Sequence, residues 1–532
     1  MTIENRARRD FLKHGVMAAL GAAAIPLLEP VSGWTQTPGE EAERQAAAQG
    51  AGGALVRLDF DRRIGTIDKK IYGSFIEQLG RCVYGGVYDP GSPLSDAEGY
   101  RKDVMQAVRE LGVTVLRWPG GNFASGYIWK NGIGPKNERP RLWDTAWQEV
   151  EPNQFGTDEF LRYCEKLNVE PYLTVNMGTG TMQDAADWVE YCNATTDTKW
   201  ANERRKNGHA APYGVKYWGL GNEVYGSWQI GHMDAKDYAA NAENFAELMR
   251  GVDPTIKLVA VCDTSVKWDV TVLERLGRVA DYVSLHHYGG SLDTAKEMQD
   301  AYFFQRQLEA LEGLVTAVMT NVRKKEPVLI AADEWNIWFR SWYKRGDRHE
   351  LEEIYNLRDA LWTASALNIF HRMCRSIGMA NEAQLVNVIA PMMTNKDGLV
   401  LQTTYFPFQL YAKHSGDVAL DAYTRSESFP GMPETPYMDI SATTDAANSK
   451  LTLALVNRHP TAEIPVEIEI AGFQPRESGV SYEVNGPSLD ATNTFASPHN
   501  VGVRQSTFSG AARKFRHSCP AHSLRVLVLE KA

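Results

Sequence analysis

The chain has 532 residues, of which 43% are hydrophobic, 23% charged and 10% aromatic, an ordinary globular composition that excludes a collagen-like, coiled-coil or largely disordered chain. At about 150 residues per domain the length suggests three or four units, or fewer if one is a barrel of about 250 residues. Lys and Arg number 56 against 66 Asp and Glu, a formal net charge of −10, so nucleic acid and anionic membrane surfaces are poor partners and a neutral substrate suits the surface better.

In chain order, Arg6, Arg8, Arg9 and Lys13 lead into an apolar run from Gly15 to Leu28 that stops at Glu29 and Pro30. The run is shorter than the about 20 residues a spanning helix needs, so residues 1–33 are expected to be an export signal rather than a stable membrane insertion. Arg8-Arg9-Asp10-Phe11-Leu12-Lys13 resembles a twin-arginine signal, which implies a protein exported folded, to the periplasm or beyond. Residues 34–53, rich in Gln, Glu, Ala and Gly, read as a linker.

From Leu55 apolar Val56, Leu58 and Phe60 alternate with Arg57, Asp59 and Asp61, the mark of a half-exposed strand over 54–66. Nearly continuous apolar runs follow at Ile71–Ile76, Val113–Trp118, Pro171–Asn176, Val215–Leu220, Ile256–Cys262, Tyr282–His286 and Val328–Ala332, as in strands buried on both faces. Between them, amphipathic helices are predicted at Ala97–Leu111, Thr157–Leu167, Asp184–Tyr191, Ala235–Met249, Leu308–Arg323 and Tyr355–Phe370. Strand and helix in alternation predict an α/β fold, a parallel (β/α)8 TIM barrel over 67–414, its eighth strand lying at Met379–Gln384 or Leu385–Pro391. After a predicted helix at Gln402–His414 alternation returns at Met438–Ala442, Leu451–Val456, Val466–Ile470, Ser481–Val484 and Ser523–Leu529. These predict a C-terminal antiparallel β-sandwich over 415–532 that also takes in the strand near residue 55.

Chemistry in such a barrel sits at the carboxyl ends of the strands. The residues found there are Glu77, Asn122, Asn176, Asn222 with Glu223, Asp263, His286 with Tyr288, and Asp333 with Glu334. Glu223 and Glu334 follow the fourth and seventh strands, which a barrel brings to one pocket. Two carboxyls about 5 to 5.5 Å apart there suit double-displacement glycoside hydrolysis, one protonating the leaving oxygen and the other attacking the anomeric carbon. For either alone, a salt bridge fixing a loop is the rival reading. Cys82, Cys164, Cys192, Cys262, Cys374 and Cys519 form no C-x-x-C pair and are expected mostly as buried thiols.

Gly221-Asn222-Glu223, Asp333-Glu334-Trp335-Asn336, Trp118-Pro119-Gly120-Gly121-Asn122-Phe123 and Phe75-Ile76-Glu77-Gln78-Leu79-Gly80-Arg81 together resemble the α-L-arabinofuranosidases of glycoside hydrolase family 51. Trp147, Glu151-Pro152-Asn153-Gln154-Phe155-Gly156-Thr157 and Gln384-Leu385-Val386-Asn387-Val388-Ile389-Ala390-Pro391 extend the resemblance over most of the chain from Leu55. It implies a retaining exo-enzyme with Glu223 as acid/base and Glu334 as nucleophile. It places the sugar on Glu77, Asn122, Asn222, His286, Tyr288 and Gln384, favours Met379–Gln384 as the eighth strand, and implies a homo-oligomer, commonly a hexamer. Gln78 stands where many relatives have His, and is expected to support the site without touching sugar.

Residue chemistry adds to this. Asn222 can donate to the sugar 2-hydroxyl, a bond that strengthens as charge grows on the ring, and Glu77 and Asn122 can hold the outer hydroxyls, the short bonds to the charged acceptor being the strong ones. Trp147, from its motif, and Trp338, four residues past Glu334, are placed at the pocket rim. Neighbouring strand residues point to opposite faces, so His286 and His287 should not share a metal. His286 is expected to orient or polarise Glu334, His287 to pack outside, and Arg81 and Asp333 to form a supporting ion network. There is no Gly-Lys phosphate loop, G-x-S-x-G or H-E-x-x-H, so no cofactor or metal is expected. The expected activity is exo-α-L-arabinofuranosidase, removing terminal arabinofuranose from arabinoxylan, arabinan or derived oligosaccharides. Its rivals are a relative specific for galactofuranosides, β-xylosides or internal β-glucan bonds, a non-catalytic glycan-binding barrel, and a metal-dependent hydrolase.

Overall fold

The apolar alternation that starts near residue 55 becomes strand β1 (Ala54–Thr66), with Val56, Leu58 and Phe60 buried. The computed structural model describes residues 52–338 and 351–532, apart from 264, 323 and 325; the expected export signal and nearly all of the linker lie outside the described residues. Short parallel strands follow: β2 (Gly73–Phe75), β3 (Val115–Trp118), and then, after a hairpin of β4 (Leu142–Asp144) and β5 (Glu149–Glu151), β6 (Glu170–Thr174). The series continues with β7 (Tyr217–Gly219), β8 (Lys257–Ala260), β9 (Tyr282–Gly289), β10 (Leu329–Ile337) and β11 (Ile377–Ala383). The hairpin aside, these eight strands close into a barrel in the order β10-β11-β2-β3-β6-β7-β8-β9. Val115, Tyr172, Tyr217, Val259, Tyr282, Ala331 and Met379, one from each of seven strands, form a separate apolar cluster that plugs the barrel, which is therefore a floor for the site and not a pore.

The eighth strand is thus the first of the two expected segments. Residues 385–391 instead form an irregular turn, with Asn387 at φ 63° and Ile389 at φ 38°. The first strand is shorter than expected: Lys69–Tyr72 is a 3-10 turn capped by the Asp68 carboxylate, and extended backbone begins at Gly73. The helix Thr157–Leu167 has the expected bounds and stops at Asn168 in the left-handed region. The helix expected from Leu308 starts fourteen residues earlier and spans Thr294–Met319, capped by Asp293. Helices at Lys199–Lys206 and Val266–Leu276 were not expected.

After a second hairpin, β12 (Met392–Thr394) with β13 (Leu399–Leu401), and the helix Tyr405–His414, the chain enters a nine-stranded sheet. Its strands are β14 (Val418–Arg425), β15 (Met438–Thr444), β16 (Lys450–Asn457), β17 (Ile464–Ala471), β18 (Pro475–Asn485), β19 (Gly502–Ser509), β20 (Lys514–Cys519), β21 (Ser523–Lys531) and β1. The order is β19-β18-β21-β16-β15-β14-β1-β17-β20, and the sheet folds over so that β20 packs against β16 and β21. The strand near residue 55 joins it, as expected. One pairing departs from the antiparallel expectation: β1 runs antiparallel to β14 and parallel to β17.

Barrel and sheet are joined by the buried helix Leu357–Arg372. Arg372 and Asn368 each bond Asp439 at 2.9 Å, and His371 links Tyr72 of the barrel at 2.8 Å to Ser441 of the sheet at 3.0 Å. All six cysteines are buried free thiols. Among the described residues no helix is long and apolar enough to cross a membrane.

Candidate active site

Glu77, two residues past β2, is buried. Its Oε1 accepts Phe123 N–H at 3.0 Å and Trp147 Nε1–H at 2.9 Å, and its Oε2 accepts Gln384 Nε2–H at 3.2 Å. Gln384 Oε1 in turn accepts Glu77 N–H at 3.0 Å. The turn after β3 wraps this carboxyl closely: a Cβ on Gly121 would lie 2.6 Å from Glu77 Oε2, so only glycine fits there. Half-buried Asn122 starts the 3-10 turn that follows, Asn122–Ser125. Trp147 arrives on the turn of the β4–β5 hairpin, an element the sequence did not reveal. Burial, and after it the Glu334 charge, push Glu77 up to about 8 despite its hydrogen bonds, so the charged acceptor expected there is shifted toward its neutral form at pH 7. Gln78 turns away from the pocket and holds the Phe155 carbonyl at 2.9 Å, supporting the Glu151–Gly156 segment.

The other side is organised by a residue that sequence reasoning passed over. Arg117, fully buried in β3, lies with its guanidinium carbon 4.6 Å from the Phe75 ring centre. It donates to Glu334 Oε1 at 2.6 Å, to Asn222 Oδ1 at 2.6 Å and to the Asp333 carbonyl at 3.2 Å, and stands 3.8 Å from Asp333 Oδ2. A guanidinium has no acceptor, so it fixes the Asn222 amide with its oxygen toward Arg117. Asn222 Nδ2 is then left buried without a protein partner, a donor ready for a ligand hydroxyl. Replacing Arg117 with Met should strand Asp333 and Glu334 as buried charges. The expected loss is about 3–5 kcal/mol of unfolding free energy, read by urea denaturation; a variant as stable as the parent would contradict this arrangement.

Glu223 follows β7 through Gly221 at φ 84° and itself takes φ 40°, a left-handed conformation held by Gly226 N–H on its carbonyl at 2.7 Å. Its Oε2 accepts Trp228 Nε1–H at 2.8 Å; its Oε1 faces Tyr225 OH at 3.4 Å and His286 Nδ1 at 2.9 Å. Glu334 Oε2 accepts Tyr288 OH at 2.8 Å. An oxygen of Glu223, an oxygen of Glu334 and a nitrogen of His286 all lie within 4.8 Å of one another. A cation would accept that donor set, but Arg117 already supplies a fixed positive charge to it.

His286 sits differently from the expectation. Its Nδ1 is bonded to Glu223 and is 3.4 Å from Glu334 Oε2, while Nε2 faces Asp333 Oδ1 at 3.4 Å, so its principal partner is Glu223. Burial alone would lower the imidazole, yet Glu334, Asp333 and Glu223 outweigh it and push it up to about 10. Burial would likewise raise Glu223, but the His286 bond and charge, then Trp228 and Arg117, hold that carboxyl below its ordinary range. His287 points the other way, as expected, bonded to Gln307 at 2.7 Å and Asp300 at 3.0 Å and stacked on Phe304.

Trp338, at the end of β10, lies edge-on to Tyr288 with ring centres 5.2 Å apart. The expected Arg81–Asp333 network divides in two: Arg81 pairs with Glu352 at 2.6 Å, whereas Asp333 sits under the site with Tyr172 OH at 2.8 Å. Asn176 is occupied in closing its own loop, its Oδ1 accepting the Gly178, Thr179 and Gly180 N–H groups. Asp263 is pushed up to about 7 by burial, then by Asp269 and Glu223. Glu77, Asn122, Trp147 and Gln384 thus gather on one side, and Asn222, Glu223, His286, Tyr288 and Glu334 on the other.

Two family models match the chain: "Alpha-L-arabinofuranosidase 1 domain" over residues 107–306 and "Alpha-L-arabinofuranosidase C-terminal domain" over 333–523. A probable alpha-L-arabinofuranosidase C from Aspergillus clavatus is 40% identical over 500 residues, covering 89% of this chain and 96% of the relative. The intracellular exo-alpha-(1->5)-L-arabinofuranosidase 1 of Bacillus subtilis is 36% identical, covering 87% of this chain and 97% of its own. Among solved structures, the thermostable GH51 alpha-L-arabinofuranosidase of Thermotoga petrophila superposes with a TM-score of 0.85 at 40% identity, covering 90% of this chain and all of that one.

Proposed function

The chain belongs to the α-L-arabinofuranosidases of glycoside hydrolase family 51, and on that premise we propose that it removes terminal, non-reducing arabinofuranosyl residues by double displacement, with Glu334 as nucleophile and Glu223 as acid/base. The observation that carries this reading is the approach of the two carboxyls, the nearer oxygens of which lie within 4.8 Å of each other, a closeness compatible with a retaining pair. Retaining enzymes hold the pair about 5–5.5 Å apart, whereas inverting enzymes leave about 6.5–9.5 Å for a water. Glu334 attacks the anomeric carbon from the face opposite the aglycone as the leaving oxygen takes a proton from the Glu223 side. Water then enters from that side, giving its proton to Glu223 as the bond to Glu334 breaks.

Arg117 and Tyr288, each on one oxygen of Glu334, aim the nucleophile. The free Nδ2 of Asn222 is the donor for the 2-hydroxyl, and Glu77 with Asn122 and Gln384 takes the outer hydroxyls. Trp147 and Trp338 bound the sugar. Arabinoxylan or arabinan side chains and their oligosaccharides are the proposed substrates, a choice supported by the names of the relatives. A panel of aryl glycosides tests the reading: the α-L-arabinofuranoside should turn over fastest, and equal or faster turnover of the β-xylopyranoside or a galactofuranoside would overturn the specificity.

The Arg8-Arg9 leader supports export in the folded state, which a leader–reporter fusion checks by its retention in cells lacking twin-arginine transport. Self-association, which the family resemblance supports, is read by light scattering.

A further inference from the structure

Asp333 lies next to the nucleophile yet sends its carboxylate beneath the site, toward the acid/base. Its Oδ1 is fully buried without a hydrogen-bond partner of good geometry and faces His286 Nε2 at 3.4 Å. The same imidazole places Nδ1 on Glu223 Oε1 at 2.9 Å. Asp333 Oδ2 is anchored by Tyr172 OH at 2.8 Å, so the carboxylate cannot swing away. The result is a line of carboxylate, imidazole and carboxylate across the barrel floor, from β10 through β9 to the end of β7.

We propose that Asp333 is a positioning residue for the leaving-group proton: it fixes the His286 ring with Nε2–H toward itself and Nδ1 toward Glu223, so that the proton spent on the aglycone is stored on the His286–Glu223 pair. The inference rests on the reading of Glu223 as acid/base. In the first step the C1–O bond to the aglycone breaks, the C1–O bond to Glu334 forms, and the aglycone oxygen takes the pair's proton through Glu223, leaving neutral His286 beside ionised Glu223. In the second step water bonds C1 as the bond to Glu334 breaks, and water's proton passes through Glu223 back to Nδ1. No other reactant is needed.

The groups facing His286 set where that proton rests. They are Glu223, Asp333 and Glu334, with Asp263 beyond Glu223; Arg117 opposes them through its bond to Glu334, and Tyr225, Tyr288 and Tyr172 cap the three carboxylates. Burial pulls the imidazole down, but Glu334, Asp333 and Glu223 push it up to about 10 while the His286 contact holds Glu223 low, so the pair keeps a proton between Nδ1 and Glu223 in the free enzyme. A lone acid/base carboxyl would need a raised affinity of its own. Here the affinity belongs to the pair.

The test is Asp333→Asn, which keeps an acceptor for Tyr172 and removes the charge behind the ring. For an arabinofuranoside with a poor leaving group, kcat/KM should fall about 10²-fold, the scale of a general acid, and its alkaline limb should move to lower pH. For the 2,4-dinitrophenyl arabinofuranoside, whose leaving group needs no proton, kcat/KM should fall less than about 10-fold. Equal losses on both substrates with an unmoved alkaline limb would mean that Asp333 serves Arg117 and Glu334 instead, and would overturn the proposal. Glu223→Ala separates the two readings: if it shows no leaving-group dependence, the acid/base assignment itself fails, whereas dependence in Glu223→Ala but not in Asp333→Asn sinks the relay alone. Neutron diffraction on the unaltered enzyme at pH 8 needs no variant. Hydrogens on both His286 nitrogens are expected, and a ring lacking the one on Nε2 would contradict the role of Asp333.

Discussion

Glu334→Ala should lower kcat on every arabinofuranoside by on the order of 10⁴-fold or more, as loss of a covalent nucleophile does. That factor corresponds to about 5 kcal/mol of barrel-held transition-state stabilisation. The loss should be the same for good and poor leaving groups, because the missing bond is to C1 and not to the aglycone. Azide should restore turnover by occupying the space the carboxylate vacates. It then enters from the Glu334 face, and the product is the β-L-arabinofuranosyl azide, inverted relative to the substrate. The α-azide from this variant would mean that Glu334 is not the attacking group. Arg117 and Tyr288, which bond one oxygen each of Glu334, remain in place in the variant and give the azide an electropositive seat.

Glu223→Ala should give the complementary pattern. With unactivated oligosaccharides kcat/KM should drop by about 10²–10⁴-fold, whereas dinitrophenyl arabinofuranoside, which departs without a proton, should lose less than about 10-fold in the same quantity. Steady turnover of the activated substrate should become limited by breakdown of the glycosyl-enzyme, seen as a burst of dinitrophenolate, since no base remains to activate water. Azide should relieve that block from the Glu223 side and yield the α-azide, of retained configuration. The two variants thus differ in the sign of stereochemistry as well as in leaving-group dependence. A uniform loss without a burst would assign Glu223 to packing around Trp228 and His286.

Much of this site is legible in the sequence because a parallel barrel leaves its polar residues at strand ends. Glu77, Asn222, Glu223, His286 and Glu334 stand out against apolar runs for that reason. Arg117 is the opposite case. It lies inside the run Val115-Leu116-Arg117-Trp118, where its charge is answered by Asp333 and Glu334, and its other donors by Asn222 and Thr174, all far along the chain. An arginine in a strand buried on both faces is itself a signal, since an unpaired charge there costs several kcal/mol. The partner of His286 could not be read, because a ring between two carboxylates is placed by a fraction of an ångström in the closed barrel. Asn176 misleads for a related reason: an asparagine at a strand end serves equally well to close a turn.

In the sheet, β18 and β21 show apolar alternation, but β19 and β20 do not, and these two are the edges of the nine-stranded order. Edge strands bury little and carry polar residues that blunt further pairing, so their periodicity is weak. The long helix Thr294–Met319 escaped in its first half because Glu297 stands buried in the stripe of Met298, Ala301 and Phe304 while apolar Phe303 lies exposed outside it, which blurs the period, although Asp293 stands there as its cap.

The central claim is that two carboxyls from β7 and β10 act in sequence on one anomeric carbon, with a covalent intermediate on Glu334. Methanol competition tests it most directly: the enzyme is given an aryl α-L-arabinofuranoside in aqueous methanol, and the anomer of the methyl glycoside formed is read by NMR. Methyl α-L-arabinofuranoside, of retained configuration, is the predicted product. The methyl β-anomer would show direct displacement by the acceptor, without a bond to Glu334, and would contradict the account.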